Sequence, residues 1–315
     1  MARSGHGAAD LRPGIQGYPM DNQSTLAIII ISFNVRKLLQ ECLESIYRET
    51  RRTRFEIWVI DNYSRDDSVS MLKETFPEVH LIENKENLGF TRANNQAIAR
   101  CRSDLVLLLN PDTLIQDGAL DKMVQFMDEH PEVGVSGCRV ENPDGSLQLA
   151  CRRSIPTPQV AFYRLTGLSR LFPHSQVMAR YNLTYLDPNQ PHEVDAVSGA
   201  FLLIRKSVVD QIGMLDETFW IFGEDIDWCI RAQKAGWKVM YYPEAHILHY
   251  KGIGCSTNSR KTSYEFYRAM YLFHRKHFAK DYSALTNFFV YAGIGVKALC
   301  SWPRLLFSAR ICSRR

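Results

Sequence analysis

Four carboxylates in this 315-residue chain stand where they could do chemistry. Asp112 follows the apolar run Leu105 to Leu109, after Asn110 and Pro111. Proline has no N–H for a β ladder and restricts the residue before it, so the run ends there and Asp112 falls at its carboxyl end. In that place it is either a solvated turn residue or helix cap, or a ligand for a divalent metal on a phosphate-bearing substrate. Asp61 ends a second run, Phe55 to Ile60, where it could accept a hydrogen bond from a nucleobase N–H or a ribose hydroxyl. The alternative is a turn whose Asn, Ser and Asp side chains bond their own backbone. Asp66 and Asp67 suit that alternative better, as caps of the following helix. Glu224 and Asp225 are flanked by Trp220, Phe222 and Trp228. Acids beside aromatic walls suit general-base work, because partial desolvation raises a carboxylate pKa. Asp227 lies four residues before Arg231 and pairs with it instead. His249 is either surface decoration or the completion of a metal site with Asp112.

The elements that must hold these groups alternate in type. Leu26 to Ser32 is a β-branched strand, and Val35 to Tyr47 has apolar residues at helical spacing. Phe55 to Ile60 is the second strand, Val69 to Phe76 a helix and Val79 to Glu83 a short third strand. This is β-α-β-α-β with right-handed crossovers. Asn87 to Ala99 is a turn opening into a helix. Gly89 allows an unusual backbone angle there, and the helix start offers free N–H groups to an anion. Leu105 to Leu109, too short for an ordinary helix, reads as a strand buried on both faces at the centre of a mostly parallel sheet. Open α/β sheets place ligands at that carboxyl edge.

Beyond it, Leu120 to Glu129 is an amphipathic helix and Val133 to Val140 a strand. From Cys151 to Pro191 the periodicity dissolves into prolines, aromatics and basic residues, Arg152 and Arg153 among them. Such a segment is a binding loop or lid, or else a mobile surface insertion. Val194 to Ile204 is a strand interrupted at Gly199, the mark of a bulge or of a close ligand approach. Val208 to Ile212 is one or two helical turns. Glu224 to Ala235 is a helix stopped by Gly236, so its carboxylates gather at the N-terminal end of the dipole. Lys238 to Tyr242 is the last strand.

Composition bounds the class. Apolar content of 45% and charged content of 23% are those of a globular α/β chain, and a net charge of +4 argues for no nucleic-acid partner. The eight cysteines form no C-x-x-C pair, which argues against zinc and disulfide frameworks and suits a reducing cytoplasm. Residues 1–24 lack an apolar signal core and read as a disordered leader. No acidic residue follows Asp281, while Lys297, Arg304, Arg310, Arg314 and Arg315 do. Ala284 to Phe307 is apolar apart from Lys297 and Arg304, and Gly293, Lys297, Ser301, Arg304 and Ser308 make a narrow polar stripe. That predicts an in-plane amphipathic helix on anionic lipid at the cytoplasmic face of a membrane. The alternative is a helix packed on the domain or on a second subunit, which leaves a homo-oligomer open.

The motifs "IIIISFN", "VIDNYSRDDS", "ENLGFTRANNQAI", "LLLNPD", "VSGAFLLIRK", "FGEDIDWCIRAQKAGWKVMYYPEAHILHY" and "KGIGCS" occur in order. In them the chain resembles the family-2 glycosyltransferases, most closely their bacterial rhamnosyltransferase-like branch, from about Thr25 to Ser256. The resemblance implies a GT-A domain over 25–256, a helical extension over 257–283 and the membrane-associating segment over 284–315. It implies an inverting transfer from a nucleotide sugar, dTDP-rhamnose or a UDP-sugar, to a glycan or polyprenyl-linked acceptor in polysaccharide synthesis, with Mg²⁺ or Mn²⁺. By the same resemblance Asp61 contacts the nucleobase, Asn62 belongs to the nucleotide-sugar site, and Gly89 with Asn94 lines the ribose pocket. Asn110 and Asp112 take the place of the D-x-D motif, with Asn110 replacing its first acid, and His249 matches a metal ligand of some relatives. Asp225 takes the place of the base, with Gly199, Trp220 and Glu224 on the sugar and acceptor side. A nucleotidyltransferase would need a Gly-rich basic loop that "SFNVRK" lacks. A non-catalytic nucleotide-sugar binder would be favoured only if Asp112 or Asp225 were missing.

Overall fold

The structure, a computed structural model, describes residues 26–250 and 260–312, with side chains as far as 301. The leader, the motif from Lys251 to Ser256 with the domain boundary placed after it, the side chains of Arg304 and Arg310, and the terminal arginines lie outside the described residues.

The chain opens as its periodicities require. Strand β1 (Leu26–Ser32) leads to α1 (Arg36–Glu49), β2 (Phe55–Asp61), α2 (Ser68–Thr75), β3 (His80–Glu83), α3 (Phe90–Ile98) and β4 (Leu105–Leu109). Then follow β5 (Thr113–Ile115), α4 (Ala119–Glu129), β6 (Val133–Glu141), β7 (Arg152–Arg153), α5 (Pro158–Leu165), α6 (Leu168–Leu171), β8 (His192–Glu193) and β9 (Ala196–Val197). The last are β10 (Phe201–Arg205), α7 (Lys206–Ile212), α8 (Glu224–Lys234), β11 (Lys238–His249), α9 (Arg260–His277) and α10 (Ala284–Cys312).

Nine strands form one sheet in the order β3-β2-β1-β4-β10-β6-β11-β5, with β8 on β11. The first four run parallel, as do β6 and β11, while β10 runs against both of its neighbours. The sheet is therefore mixed, and its parallel half ends in the carboxyl edge that carries Asp61 and precedes Asp112. Every residue of β1 and β4 is buried, which explains why neither shows a period of two. A Leu→Ala change at Leu107 in the sheet centre would cost about 2–5 kcal/mol.

Two features were not legible in the sequence. Lys238 to His249 is one strand, irregular between Tyr242 and His246, and it continues to pair with β6 and then with β5. Within the irregular segment, Arg152 is buried, donates to the carbonyls of Leu186 and Asp187 at 3.0 and 3.1 Å and lies 5.1 Å from the Tyr241 ring centroid. The two hydrogen bonds close the insertion on itself and the Tyr241 contact ties it to β11, which explains how a stretch without periodicity is nonetheless ordered.

Helix α9 clamps the segment that leads into α8. Arg268 donates to the Thr218 carbonyl at 3.0 Å, Lys276 pairs with Asp216 at 2.6 Å, and His277 sits 2.8 Å from Asp227. Helix α10 folds back on α9 through Tyr271 and Tyr291 and through His274 on Asn287 at 2.7 Å. The stretch Ala284–Ser301 is apolar and long enough to cross a membrane, and none of it is buried against the protein.

Candidate active site

The carboxyl ends of β1, β2 and β4 and the loops behind α3 and α8 make one edge. At β2, Asp61 is buried and its Oδ2 accepts the Ser64 N–H at 2.9 Å, while its Oδ1 has no partner. The turn reading accounts for Oδ2 and leaves Oδ1 open to a ligand. The loops after β1 and β2 are clasped together: Asn34 N–H donates to Ser64 Oγ at 2.9 Å, and Arg65 N–H to Asn34 Oδ1 at 2.7 Å. Asn34 and Tyr63 both hold positive φ, as does Phe222 before α8. Backbone strain of this kind gathers at functional sites. Asp66 accepts from Ser68 N–H as expected of a cap, but the Asp67 side chain caps nothing.

Asn62 and Asn94 act differently from expectation. Asn62 is buried, donating to the Gly89 carbonyl at 3.0 Å and accepting from Asn84 and the Leu88 N–H. Asn94 is fully buried and donates to the Phe90 carbonyl at 2.9 Å. Neither side chain faces outward; they brace the loop and the first turn of α3 that would line a ribose pocket. Gly89 sits at φ +84, and a Cβ there would come within 2.5 Å of the Trp220 indole, whose backbone carbonyl accepts the Phe90 N–H at 2.8 Å. Trp220 is therefore joined to the Gly89 side of the edge, with Lys261 of α9 3.9 Å from its ring centroid.

Asp112 and His249 meet, and the unforeseen strand β5 is the reason. Thr113 pairs with His249 across the β5–β11 ladder, and the Tyr250 N–H donates to the Asp112 carbonyl at 2.8 Å. Asp112 Oδ1 lies 3.2 Å from His249 Nε2, and Asn110 Nδ2 is 3.4 Å from the same nitrogen. No group of three or more His, Cys, Asp or Glu able to hold a metal occurs among the described residues. One carboxylate and one imidazole still fit Mg²⁺ or Mn²⁺, which commonly take one or two protein ligands and complete their shell with substrate phosphates and water.

Gly199 and Ala200, between β9 and β10, join this side to the acids. The Ala200 carbonyl accepts the Asn110 N–H at 3.1 Å, and the Gly199 N–H donates to Asp225 Oδ2 at 3.0 Å. A Cβ at Gly199 would meet Asp225 at 3.6 Å, an ordinary contact, so it is the Gly199 N–H that ties the break in the strand to Asp225. Arg153, from the start of the irregular segment, reaches Asp225 Oδ2 at 2.5 Å and the Val197 carbonyl at 2.6 Å. Asp225 Oδ1 accepts the Ile226 N–H at 2.8 Å. Asp225 thus uses three of the roughly four acceptor positions of a carboxylate and keeps one.

Glu224 is the first residue of α8. It does not cap α8, whose first flanking residue is Gly223, and its buried Oε2 has no partner. Burial first, and then the negative charge of Asp225, push its pKa up to about 8. The desolvated acid beside the aromatic residues is therefore Glu224, while Asp225 is ion-paired. Asp227 is also buried, yet His277, Lys276 and Arg231 outweigh that and bring its pKa down to about 2. The expected pair with Arg231 is present at 2.9 Å, and α9 supplies the other two partners.

Residues 27–213 match the model of "Glycosyl transferase family 2", and residues 155–276 that of "Glycosyl transferase family group 2". The chain belongs to glycosyl transferase family 2. This glycosyltransferase is 27% identical over 237 residues, 72% of its length and 76% of the relative's, to an N-acetylglucosaminyl-diphospho-decaprenol L-rhamnosyltransferase of Mycobacterium tuberculosis. To the rhamnosyltransferase WbbL of Escherichia coli it is 25% identical, over 71% of its own length and 82% of the relative's. Its fold is similar to that of S. aureus TarS 1-349 in complex with UDP-GlcNAc, with a TM-score of 0.56, 17% identity and coverage of 86% of this chain and 71% of that one. It is similar also to the mannosyltransferase PcManGT from Pyrobaculum calidifontis in complex with GDP-Man and Mn²⁺, with a TM-score of 0.56, 17% identity and coverage of 92% and 76%.

Two residues of this glycosyltransferase's site escaped sequence reasoning. Arg153 stood among the basic residues of an aperiodic segment, and nothing local marks it as buried against Asp225. Gln148, whose side chain touches His249, carries no motif at all.

Proposed function

We propose that this glycosyltransferase moves a rhamnose-like sugar from a dTDP- or UDP-activated donor to a hydroxyl of a polyprenyl-linked glycan acceptor, with inversion at the anomeric carbon. The observation that supports this reading is the Gly199–Ala200 link, through which hydrogen bonds run from the Asp225 carboxylate to the Asn110 backbone of the Asn110–Asp112–His249 cluster. A base and a diphosphate site must lie close together if the acceptor is to attack one face of the sugar while the diphosphate leaves from the other.

The unpartnered Asp61 Oδ1 suits the N3–H of thymine or uracil, and the strained Gly89 turn suits the ribose and the phosphates. Asp112 and His249 would hold the divalent cation, which neutralises charge developing on the diphosphate. The acceptor hydroxyl hydrogen-bonds to Asp225; as its oxygen bonds to the anomeric carbon, its proton passes to Asp225. The sugar–phosphate bond breaks, and its electron pair stays on the diphosphate. Arg153 and the Gly199 N–H fix the direction of that carboxylate. A positioned general base contributes about 10²–10⁴-fold. The raised pKa of Glu224 favours a second reading, in which Glu224 is the base. Asp225 is preferred because a carboxyl with a pKa of about 8 is mostly protonated at neutral pH and must first lose that proton.

The decaprenol-linked substrate named for the mycobacterial relative and the exposed apolar side of Ala284–Ser301 support work at a membrane, and the reading places it at the cytoplasmic face. Lys297 near the centre of a spanning helix would cost ~3 kcal/mol, which favours an in-plane helix over a spanning one. The deciding experiment is thermal shift with dTDP-rhamnose, UDP-hexoses and GDP-mannose, with and without Mn²⁺. Stabilisation by dTDP- or UDP-sugars, larger with Mn²⁺, is expected; preference for the GDP-sugar would overturn the donor assignment.

A further inference from the structure

Gln148, in the short connection after β6, is buried, and its backbone is fixed by bonds from its N–H to the Val140 carbonyl at 2.8 Å and from the Cys151 N–H to its own carbonyl at 2.9 Å. Its side chain makes two contacts with one residue. Nε2 donates to the His249 carbonyl at 2.8 Å, and Oε1 lies 2.9 Å from His249 Nδ1. The first contact settles the orientation of the amide, because a backbone carbonyl can only accept and so must face the NH₂ end. Oε1, an acceptor only, then faces Nδ1, and the hydrogen between them must belong to the ring. A neutral imidazole with its proton on Nδ1 has its lone pair on Nε2. Nε2 is the atom 3.2 Å from Asp112 Oδ1, so a ring lone pair and a carboxylate oxygen converge on one point. The Asn110 Nδ2 amide lies 3.4 Å from the same Nε2, and a divalent cation is a partner that the ring lone pair and the carboxylate oxygen could share.

We propose that Gln148 is a positioning residue for the divalent cation: it fixes the tautomer and ring orientation of His249 so that Nε2 is presented beside Asp112. This rests on the metal reading of the site given above. It adds that the cation's second ligand depends on a side chain with no place in any motif. Partners behind a ligating histidine typically contribute about 10–100-fold to metal affinity.

The test uses the full chain in two measurements. In metal-free protein with ¹⁵N-labelled histidine, above neutral pH, long-range ¹H–¹⁵N correlations should show His249 with its proton on Nδ1; Gln148→Leu should remove that preference. Mn²⁺ binding followed by electron paramagnetic resonance in the presence of UDP should weaken ~10–100-fold in Gln148→Leu. Gln148→Glu still offers an acceptor to Nδ1–H and should recover part of the loss, whereas a merely structural role would leave both variants alike. Thermal unfolding and UDP binding in EDTA verify that the variants are folded. A wild-type His249 protonated on Nε2, or a Gln148→Leu protein that binds Mn²⁺ as tightly as wild type, overturns the proposal. Wild-type protein that takes up no Mn²⁺, yet shows the Nδ1–H ring, overturns the metal reading itself and the proposal with it.

Discussion

Replacing Glu224 by glutamine keeps the shape of the pair it makes with Asp225 and removes one titrating proton. Glu224 is buried, its Oε2 is unpartnered, and burial with the Asp225 charge raises its pKa from 4.5 to about 8. A group whose folded pKa lies above its unfolded value contributes stability that is complete below the unfolded pKa and is lost as pH rises through the folded one. The wild-type protein should therefore lose stability relative to Glu224→Gln between about pH 4.5 and about pH 8, by up to ~1.4 kcal/mol for each pH unit crossed. Urea unfolding of both proteins at several pH values across that window measures the divergence. Parallel curves would mean that Glu224 is already ionised in the fold, and the burial argument would fail. Activity supplies the second half. If Glu224 only holds a proton, Glu224→Gln keeps kcat within a few-fold, while Asp225→Asn lowers it at least ~10²-fold with donor affinity nearly unchanged. Asp225→Asn also leaves Arg153 buried beside a neutral amide, a loss of about 3–5 kcal/mol, so its kinetics belong well below its unfolding temperature. A Glu224→Gln protein as inactive as Asp225→Asn would transfer the role of base to Glu224.

Asp112→Asn should weaken Mn²⁺-dependent binding of dTDP or UDP in calorimetry while leaving the smaller metal-free affinity in place; equal loss with and without metal would contradict the ligand role. Gly89→Ala puts a Cβ within 2.5 Å of the Trp220 ring at φ +84, and should lower stability by ~2–5 kcal/mol from left-handed strain plus overpacking, read from urea midpoints together with donor affinity. A chain ending at Asp281 should float with anionic liposomes far less than the full chain; equal flotation would remove α10 as the membrane contact.

The parallel half of the sheet was legible because burial on both faces leaves a plain signature. Leu26 to Ile31 and Leu105 to Leu109 are unbroken apolar runs that pair in parallel, and the β1–β2 register puts Asp61 opposite Ser32 on one edge. The antiparallel half was less so. Strand β5 is three residues long, and its place depends on a partner more than a hundred residues away, which no local period encodes. Asn62 and Asn94 show a related limit: an asparagine that binds a ligand and one that braces the loop beneath it look the same in sequence. Burial separates them.

The same limit governs the acids of α8. Three carboxylates within four residues at one helix start are equivalent to a periodicity argument, yet they end in three electrostatic settings. Asp227 is held low by α9 and Arg231, Glu224 is pushed up by burial, and Asp225 is paired with Arg153. Two of the settings depend on distant elements, Asp227 on α9 and Asp225 on the first residues of the irregular insertion, while that of Glu224 comes from burial and the adjacent Asp225. Carboxylates whose environments push their pKa values apart can take different roles at one pH. Here the partners divide the work: Asp227 anchors the helix, Glu224 keeps a proton in the wall of the site, and Asp225 alone retains both a fixed direction and a vacant acceptor position. The insertion that carries Arg153 is thereby coupled to the proposed base, so Arg153→Lys, which keeps the charge but not the planar fork, should lower kcat more than it weakens donor binding. Loss of donor affinity with kcat intact would show instead that the insertion serves the nucleotide.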